Sequence, residues 1–174
     1  MNLVRLLGAV LLIGAGSTWG YVTAEQIKRR PEQLSAFQRS LELVKSEVGY
    51  GLVSLATAWQ RAARQGDGPV GETFRQAASW LEKGEVDSAH LAWERGLESQ
   101  LSKLALREED LEILRGLGPV LMLMSSEEQC RHLDLICTRL RVLEADGREQ
   151  ATRYAQLTLH LGILGAIALT IVLL

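Results

Sequence analysis

From Leu34 onward the apolar positions recur at steps of three and four, through Phe37, Leu41, Val44 and Val48. That spacing draws a stripe down one side of an α-helix, and Pro31 stands where a helix start tolerates a proline. Gly49 and Gly51, on either side of Tyr50, interrupt the pattern and make Tyr50-Gly51 a structural turn. A second helix is predicted from about Leu52 to Gln65, with Leu55, Ala58, Trp59 and Ala62 apolar. A third covers about Glu72 to Lys83, with Phe74, Ala77, Ala78 and Leu81 inward and Gly84 as its stop. A fourth runs from about Asp87 to Leu101 and carries Leu91, Trp93, Leu97 and Leu101. Trp93 and Leu97 lie one turn apart, share a face and are core candidates. The fifth opens on Glu108, Glu109 and Asp110, acids suited to the positive end of a helix dipole, and presents Leu111, Ile113, Leu114 and Leu117 before Gly118-Pro119. Val120 to Met124 is apolar and ambiguous. Ser125 and Ser126, followed by Glu127, Glu128 and Gln129, have the pattern of a capping box. The sixth helix starts there, with Cys130, Leu133, Cys137, Leu140 and Glu144 inward and Gly147 as a weak point costing ~1 kcal/mol relative to Ala. No run alternates as a strand would. The reading is all-α, a bundle of roughly six helices.

Two apolar stretches flank this bundle. Leu157 to Leu174 carries no Asp, Glu, Lys or Arg. As a helix it is roughly 27 Å long, near the thickness of a bilayer's hydrocarbon core. Leu6 to Val22 is the second, with Trp19 and Tyr21 suited to an interfacial aromatic belt. A cleaved signal peptide is the competing reading of the first stretch. Its length, and the bulky residues at the poor cleavage site Val22-Thr23-Ala24, favour an uncleaved anchor. The expected organisation is a transmembrane helix over 1–24, a cytoplasmic helical domain over 25–156 and a second transmembrane helix over 157–174. Gly16 with Gly20, and Gly162 with Ala166, have the spacing that lets membrane helices approach closely.

Charge adds a topology. All 21 acidic residues and every basic one except Arg5 fall between the two stretches, leaving that part mildly acidic. A nucleic-acid binder would present a basic face instead. Lys28, Arg29 and Arg30 follow the first stretch, and Arg148 and Arg153 precede the second. These membrane-proximal cations put the domain in the cytoplasm by the positive-inside rule, and they would also meet anionic lipid.

Candidate chemistry is sparse. Gly66, Gly68 and Gly71 match GxGxxG, but they follow a helix rather than a strand, and Pro69 and Asp67 are wrong for a pyrophosphate; an inter-helix loop is expected. Cys130 and Cys137 would stand roughly 10 Å apart on one helix, too far for a disulfide with each other. They also lack the close spacing of a zinc site. His90, His132 and His160 are scattered. The residues suggest no catalytic, cofactor-binding or metal site, so function is expected to come from binding. Glu82, Glu85, Asp87, Glu94 and Glu98 cluster on the third and fourth helices as a candidate partner-binding face.

The chain resembles the stage III sporulation protein AB family of endospore-forming bacteria over nearly its whole length. The resemblance rests on Trp19 with Lys28-Arg29-Arg30-Pro31, on Glu47 with Tyr50-Gly51 and Leu55, and on Ala92-Trp93 with Leu97. It continues through Ala105-Leu106, Asp110 to Leu114 with Gly118, then His132, Leu140 and Glu144, and ends on Tyr154 before Leu161-Gly162. The chain departs from the family pattern at Ser54, where a Pro is usual, and at Leu121 to Ser125, where a Leu-Gly followed by an Asp is usual. The resemblance implies a mother-cell membrane protein facing the forespore, in a transenvelope channel assembly. It also implies a helical domain similar to the platform proteins of type II secretion and type IV pilus systems. By that analogy its partners are the assembly's cytoplasmic ATPase, stage III sporulation protein AA, and other channel subunits, with a second copy of the chain as a further candidate. The competing reading is a two-span membrane sensor or receptor domain. A typical one would keep its ligand domain outside and a signalling domain inside.

Overall fold

The computed structural model describes the backbone of residues 27–49, 53–123 and 125–173, and their side chains apart from 122–123, 126, 155–156 and 158–173. Among the described residues every regular element is helical: α1 (27–49), α2 (Leu55–Gln65), α3 (Gly68–Glu82), α4 (Ala89–Glu98), α5 (Glu108–Arg115), α6 (Leu117–Leu123) and α7 (Ser126–Leu173). The six expected helices are present, and the ambiguous apolar stretch forms the additional α6. The chain divides into two compact units, Arg30–Ala145 and a second made of Met1–Arg29 with Asp146–Leu174.

Within Arg30–Ala145 the apolar stripes meet in one core. Leu34, Phe37, Leu41 and Val44 of α1, Trp59 and Ala62 of α2, Phe74 and Ala77 of α3, and Trp93 of α4 are all fully buried. The aromatic rings form a chain: Phe37 to Phe74 at 6.0 Å, Phe74 to Trp93 at 5.1 Å and Trp93 to Trp59 at 6.0 Å, all tilted. Such tilted pairs suit the ring quadrupoles better than face-to-face stacking. Trp93 is the hub, and its indole N–H donates to the Leu114 carbonyl at 2.7 Å, joining α4 to the end of α5. Leu97 is 1% exposed, so both residues expected in the core are there. From α7, Leu133, Cys137 and Leu140 face inward and Cys130 is half-buried, as the periodicity implied. Glu144, also on that face, accepts from Gln38 of α1 at 2.9 Å.

Helix boundaries show where the local chemistry decided. Ser54, the departure from the family pattern, caps α2 by accepting from the Thr57 N–H at 3.3 Å. Ser125 and Glu128 form the reciprocal box at the start of α7, Ser125 N–H to Glu128 Oε2 at 3.2 Å and Glu128 N–H to Ser125 Oγ at 3.4 Å. Helix α3 begins at Gly68, four residues before the expected Glu72, so the glycine-rich loop is shorter than the sequence suggested. Pro69 fits the first turn, where its missing N–H costs nothing. Gly71 lies against the Gly66 and Ala63 carbonyls so closely that a Cβ would fall 2.0 and 2.8 Å from them. The glycines therefore allow α2 and α3 to meet in a tight corner.

Gly147 lies inside α7, whose helical backbone continues past it. No helix among the described residues is long and apolar enough to cross a membrane. The expected span over 1–24 and the Tyr50-Gly51 turn lie outside the described residues. The expected span over 157–174 coincides with the helical backbone of α7 up to Leu173, and almost all its side chains lie outside the description.

Candidate functional site

The acidic cluster sits where α3 ends and α4 begins. Helix α3 stops at Glu82, Gly84 turns the chain with φ +65°, and Ser88 starts α4 by accepting from the Leu91 N–H at 3.2 Å. The two helices then cross at contact distance: a Cβ on Gly96 would meet the Thr73 carbonyl at 2.7 Å and Ala77 Cβ at 2.9 Å. A glycine at the crossing fixes how the acids are presented. Glu82, Glu85, Asp87 and Glu98 are exposed and Glu94 is half-exposed. Glu82 accepts from Gln60 at 2.6 Å, Glu85 lies 4.0 Å from Lys83, and Glu94 lies 3.6 Å from His90 one turn back. The face therefore carries several carboxylates over a rigid pair of helices, and such exposed pairings are worth ~0–1 kcal/mol each. Nothing converges on one point, as a catalytic or metal site would require. Among the described residues no group of three or more His, Cys, Asp or Glu could hold a metal ion.

The basic cluster is split. Lys28 and Arg29 are exposed, as are Arg148 and Arg153 on α7, the latter paired with Glu149. Arg30 is 5% exposed and turned into the bundle. Its Nε and Nη2 donate to the two carboxylate oxygens of Asp110, each at 2.8 Å, and Nη2 reaches Glu109 at 3.0 Å. Asp110 is fully buried and also accepts from the Arg107 N–H at 2.8 Å, closing the first turn of α5. Gln33 accepts from the Ala105 N–H at 2.7 Å alongside. The Arg30 side chain is thus committed to holding the start of α1 against the start of α5. Sequence reading grouped it with its neighbours as a membrane-proximal cation and read Asp110 as a first-turn acid. The available hint was Arg30's place in the first turn of its helix, where a cation opposes the dipole and needs a compensating anion. The partner lies 80 residues away, and no local spacing points to it.

A second surface escaped the sequence reading. Ile113 of α5, Val120 of α6 and Leu135 and Ile136 of α7 line an open cleft of about 240 Å³, with Glu112, His132 and Arg139 at its polar side. Leu135 and Val142 on α7 are exposed at 51% and 57%. Periodicity along α7 marks its inward face but cannot show that Leu135 adjoins Ile113 and Val120, which come from other helices. The cysteines have ordinary structural roles. Burial first, with Glu42 nearby, pushes the Cys137 thiol up to about 11, while the Cys130 thiol donates weakly to the Lys45 carbonyl at 3.6 Å.

Comparison with known proteins agrees with this bundle. The family model described as Stage III sporulation protein AB matches residues 5–174. The Bacillus subtilis (strain 168) Stage III sporulation protein AB is 31% identical over 171 residues, covering 98% of this chain and 99% of the relative. A solved structure of Stage III sporulation protein AB superposes with a TM-score of 0.68 at 32% identity, covering 71% of this chain and 97% of that one. The chain belongs to the stage III sporulation protein AB family.

Proposed function

We propose that this chain is a non-enzymatic platform subunit of a sporulation transenvelope channel, tethered to the membrane by its two ends, whose helical bundle docks the assembly's cytoplasmic ATPase and links it to the membrane components. The observation that carries the reading is the rigid acidic face of α3 and α4, with Glu82, Glu85, Asp87 and Glu98 exposed, in a family member matched from residue 5 to residue 174. The proposed anchors are Leu6 to Val22 and Leu157 to Leu174. Lys28 and Arg29, which follow the first proposed anchor in the chain, and Arg148 and Arg153, which precede the second, support a cytoplasmic domain and an approach to anionic lipid. Arg30 is taken out of that group by its burial. Tethering raises the effective concentration of partners held at the same membrane, so a micromolar contact of about 8 kcal/mol is sufficient. The test is titration of the purified full chain into the purified stage III sporulation protein AA, with and without nucleotide. Binding that weakens with added salt and with Glu94→Lys/Glu98→Lys supports the reading. Absence of binding at high micromolar concentration, by a method that detects a known weak pair, removes it.

A further inference from the structure

Helix α7 carries a second regular stripe on the side away from the core. Leu133, Ile136, Cys137 and Leu140 are buried in the bundle. Leu135, Thr138, Val142 and Ala145 recur on the other side at steps of three, four and three. All four are exposed, Leu135 at 51% and Val142 at 57%. That spacing keeps a seam of two heptads turned toward one neighbouring helix. Small residues alternate with larger ones along it, which lets a second backbone come close. The Thr138 hydroxyl donates to the Asp134 carbonyl of its own helix at 2.8 Å, so it brings no unsatisfied donor to the seam. Charges border the stripe on both flanks. Asp134 and Arg141 lie on one, beside Lys45 at 2.6 Å and Glu42 at 3.2 Å of α1. Arg139 and Asp146 lie on the other, where Glu112 of α5 lines the cleft along with Arg139.

We infer that this stripe receives α7 of a second copy of this chain, packed parallel and in register, with Leu135 against Leu135 and Val142 against Val142. The direction follows from the chain. Helix α7 leads into the proposed anchor Leu157 to Leu174. The pairing therefore rests on the anchored reading above: two copies in one membrane share one orientation, and their α7 helices run the same way. In a parallel pair each residue on one flank meets the residue five positions later on the other flank of its neighbour. Asp134 then meets Arg139 of the second copy and Arg141 meets Asp146, each twice by symmetry. Arg131 and Glu149, the next positions of the seam at either end, would each meet their own copy, which confines the contact to the two heptads between them. Two heptads are fewer than the roughly three or four of a free-standing coiled coil, so the pair depends on confinement in the membrane. The contact uses the same surface on both copies and closes as a dimer. The α4 face with Glu94, Arg95 and Glu98 takes no part and stays open to the ATPase.

Cysteine crosslinking of the full-length chain in membranes tests the pairing, with Cys130→Ala and Cys137→Ala removing the native thiols. Val142→Cys and Ala145→Cys should each give a covalent dimer under mild oxidation, at least about tenfold more than Arg64→Cys on the exposed side of α2. Differently tagged Leu135→Cys and Val142→Cys chains, mixed in one membrane, should give no mixed dimer, because parallel helices keep those positions two turns apart. Val142→Glu should reduce the crosslink through Thr138→Cys about tenfold. Glu94→Lys/Glu98→Lys should leave it unchanged. A photo-activated side chain in place of Val142, in the otherwise native chain, repeats the comparison without removing the buried cysteine. Chains retained in the membrane through an alkaline wash, yet crosslinked no more than Arg64→Cys, overturn the pairing and leave the platform reading standing. Mixed dimers of the Leu135→Cys and Val142→Cys chains, or loss of the crosslink in Glu94→Lys/Glu98→Lys, also overturn it. Chains stripped from the membrane by the wash overturn the anchored reading and the pairing together.

Discussion

The α3–α4 crossing and the α7 side of the bundle solve the same packing problem differently. At α3–α4 a glycine lets backbone meet side chain, with Gly96 against Thr73 and Ala77, and Trp93 fills the space beneath with its indole N–H satisfied by Leu114. At the outer face of α7 the helices stand apart enough to leave a cleft, and Leu135 and Val142 remain in solvent. Close packing in one place and an open apolar seam in another cannot both be optimal for stability. The seam leaves apolar surface in solvent that closer packing would bury. The comparison has a direct test. Trp93→Ala should destabilise the bundle by ~3–5 kcal/mol, because it removes a fully buried ring and leaves the Leu114 carbonyl without its donor. Leu135→Ala, on the open side, should change stability by less than about 1 kcal/mol. Denaturant melts that give the two variants equal losses would abolish the contrast.

The junction of α1 with α5 belongs to the packed side but is cemented by charge. Arg30→Ala or Asp110→Ala leaves a buried ion without its counter-ion and should cost ~3–5 kcal/mol. Replacing both with apolar residues of similar size should cost much less, since the desolvation of both ions is recovered together. If the double variant is as unstable as either single one, the pair is doing something other than compensating buried charge. Arg30→Gln, meanwhile, should leave membrane orientation unchanged when Lys28 and Arg29 are kept. A reporter fused after Leu174 that becomes active in the opposite compartment would restore Arg30 to the topology signal.

The exposed acids should behave in the opposite way. Glu94→Lys/Glu98→Lys alters solvent-facing side chains and should shift stability by no more than about 1 kcal/mol, while slowing association with the ATPase. Long-range attraction between exposed charges acts mainly on the encounter rate and is screened by salt. A variant with native stability and native association rate would mean that these carboxylates are only a solvated surface.

How much of this could be read from the chain depends on the range of the interaction. The helices were legible because Leu34, Phe37, Leu41 and Val44, or Leu133, Cys137 and Leu140, carry their burial in local spacing. The cap of α7 was legible because Ser125 and Glu128 are three residues apart. The start of α3 was misjudged because a run of glycines signals a loop, whereas here Gly71 serves a helix–helix corner built against Gly66 and Ala63. The Arg30–Asp110 pair was illegible for a different reason. Each residue has an adequate local explanation, as a flanking cation and a first-turn acid, and only the fold brings them together across 80 positions. The cleft was hidden for a similar reason, since Ile113 fits a core stripe, Val120 lies in the ambiguous apolar stretch and Leu135 lies off the inward face of its helix, and only the packing of α5 and α6 against α7 brings them together. The candidate acidic face was legible as composition, and the structure adds the rigid crossing that presents it.

The smallest effect concerns the inner face of α7 and asks whether the openness is confined to the outer one. Cys137 is 4% exposed and Cys130 is half-buried. Burial disfavours the Cys137 thiolate and moves its pKa from 9.0 to about 11, while Lys45 and Arg141 pull weakly the other way. The thiolate is the reactive form, so at pH 8 a thiol reagent should label Cys130 well before Cys137 in the native chain and both together after denaturation. The raised value also fixes the sign of a pH effect. The folded state holds the Cys137 proton more tightly than the unfolded chain does, so the associated stability is complete below pH 9 and is lost as pH rises from 9 towards 11. Labelling of Cys137 should therefore accelerate across that window, from its own ionisation and from more frequent opening of α7. The Cys137→Ala chain separates the two contributions, because its Cys130 labelling should accelerate less over the same pH range. Cys137 labelled as fast as Cys130 at pH 8 would mean that α7 is loosely held on both faces. The cleft beside Leu135 would then be one part of a mobile helix, and the contrast with the α3–α4 crossing would be one of rigidity rather than of surfaces kept for a partner.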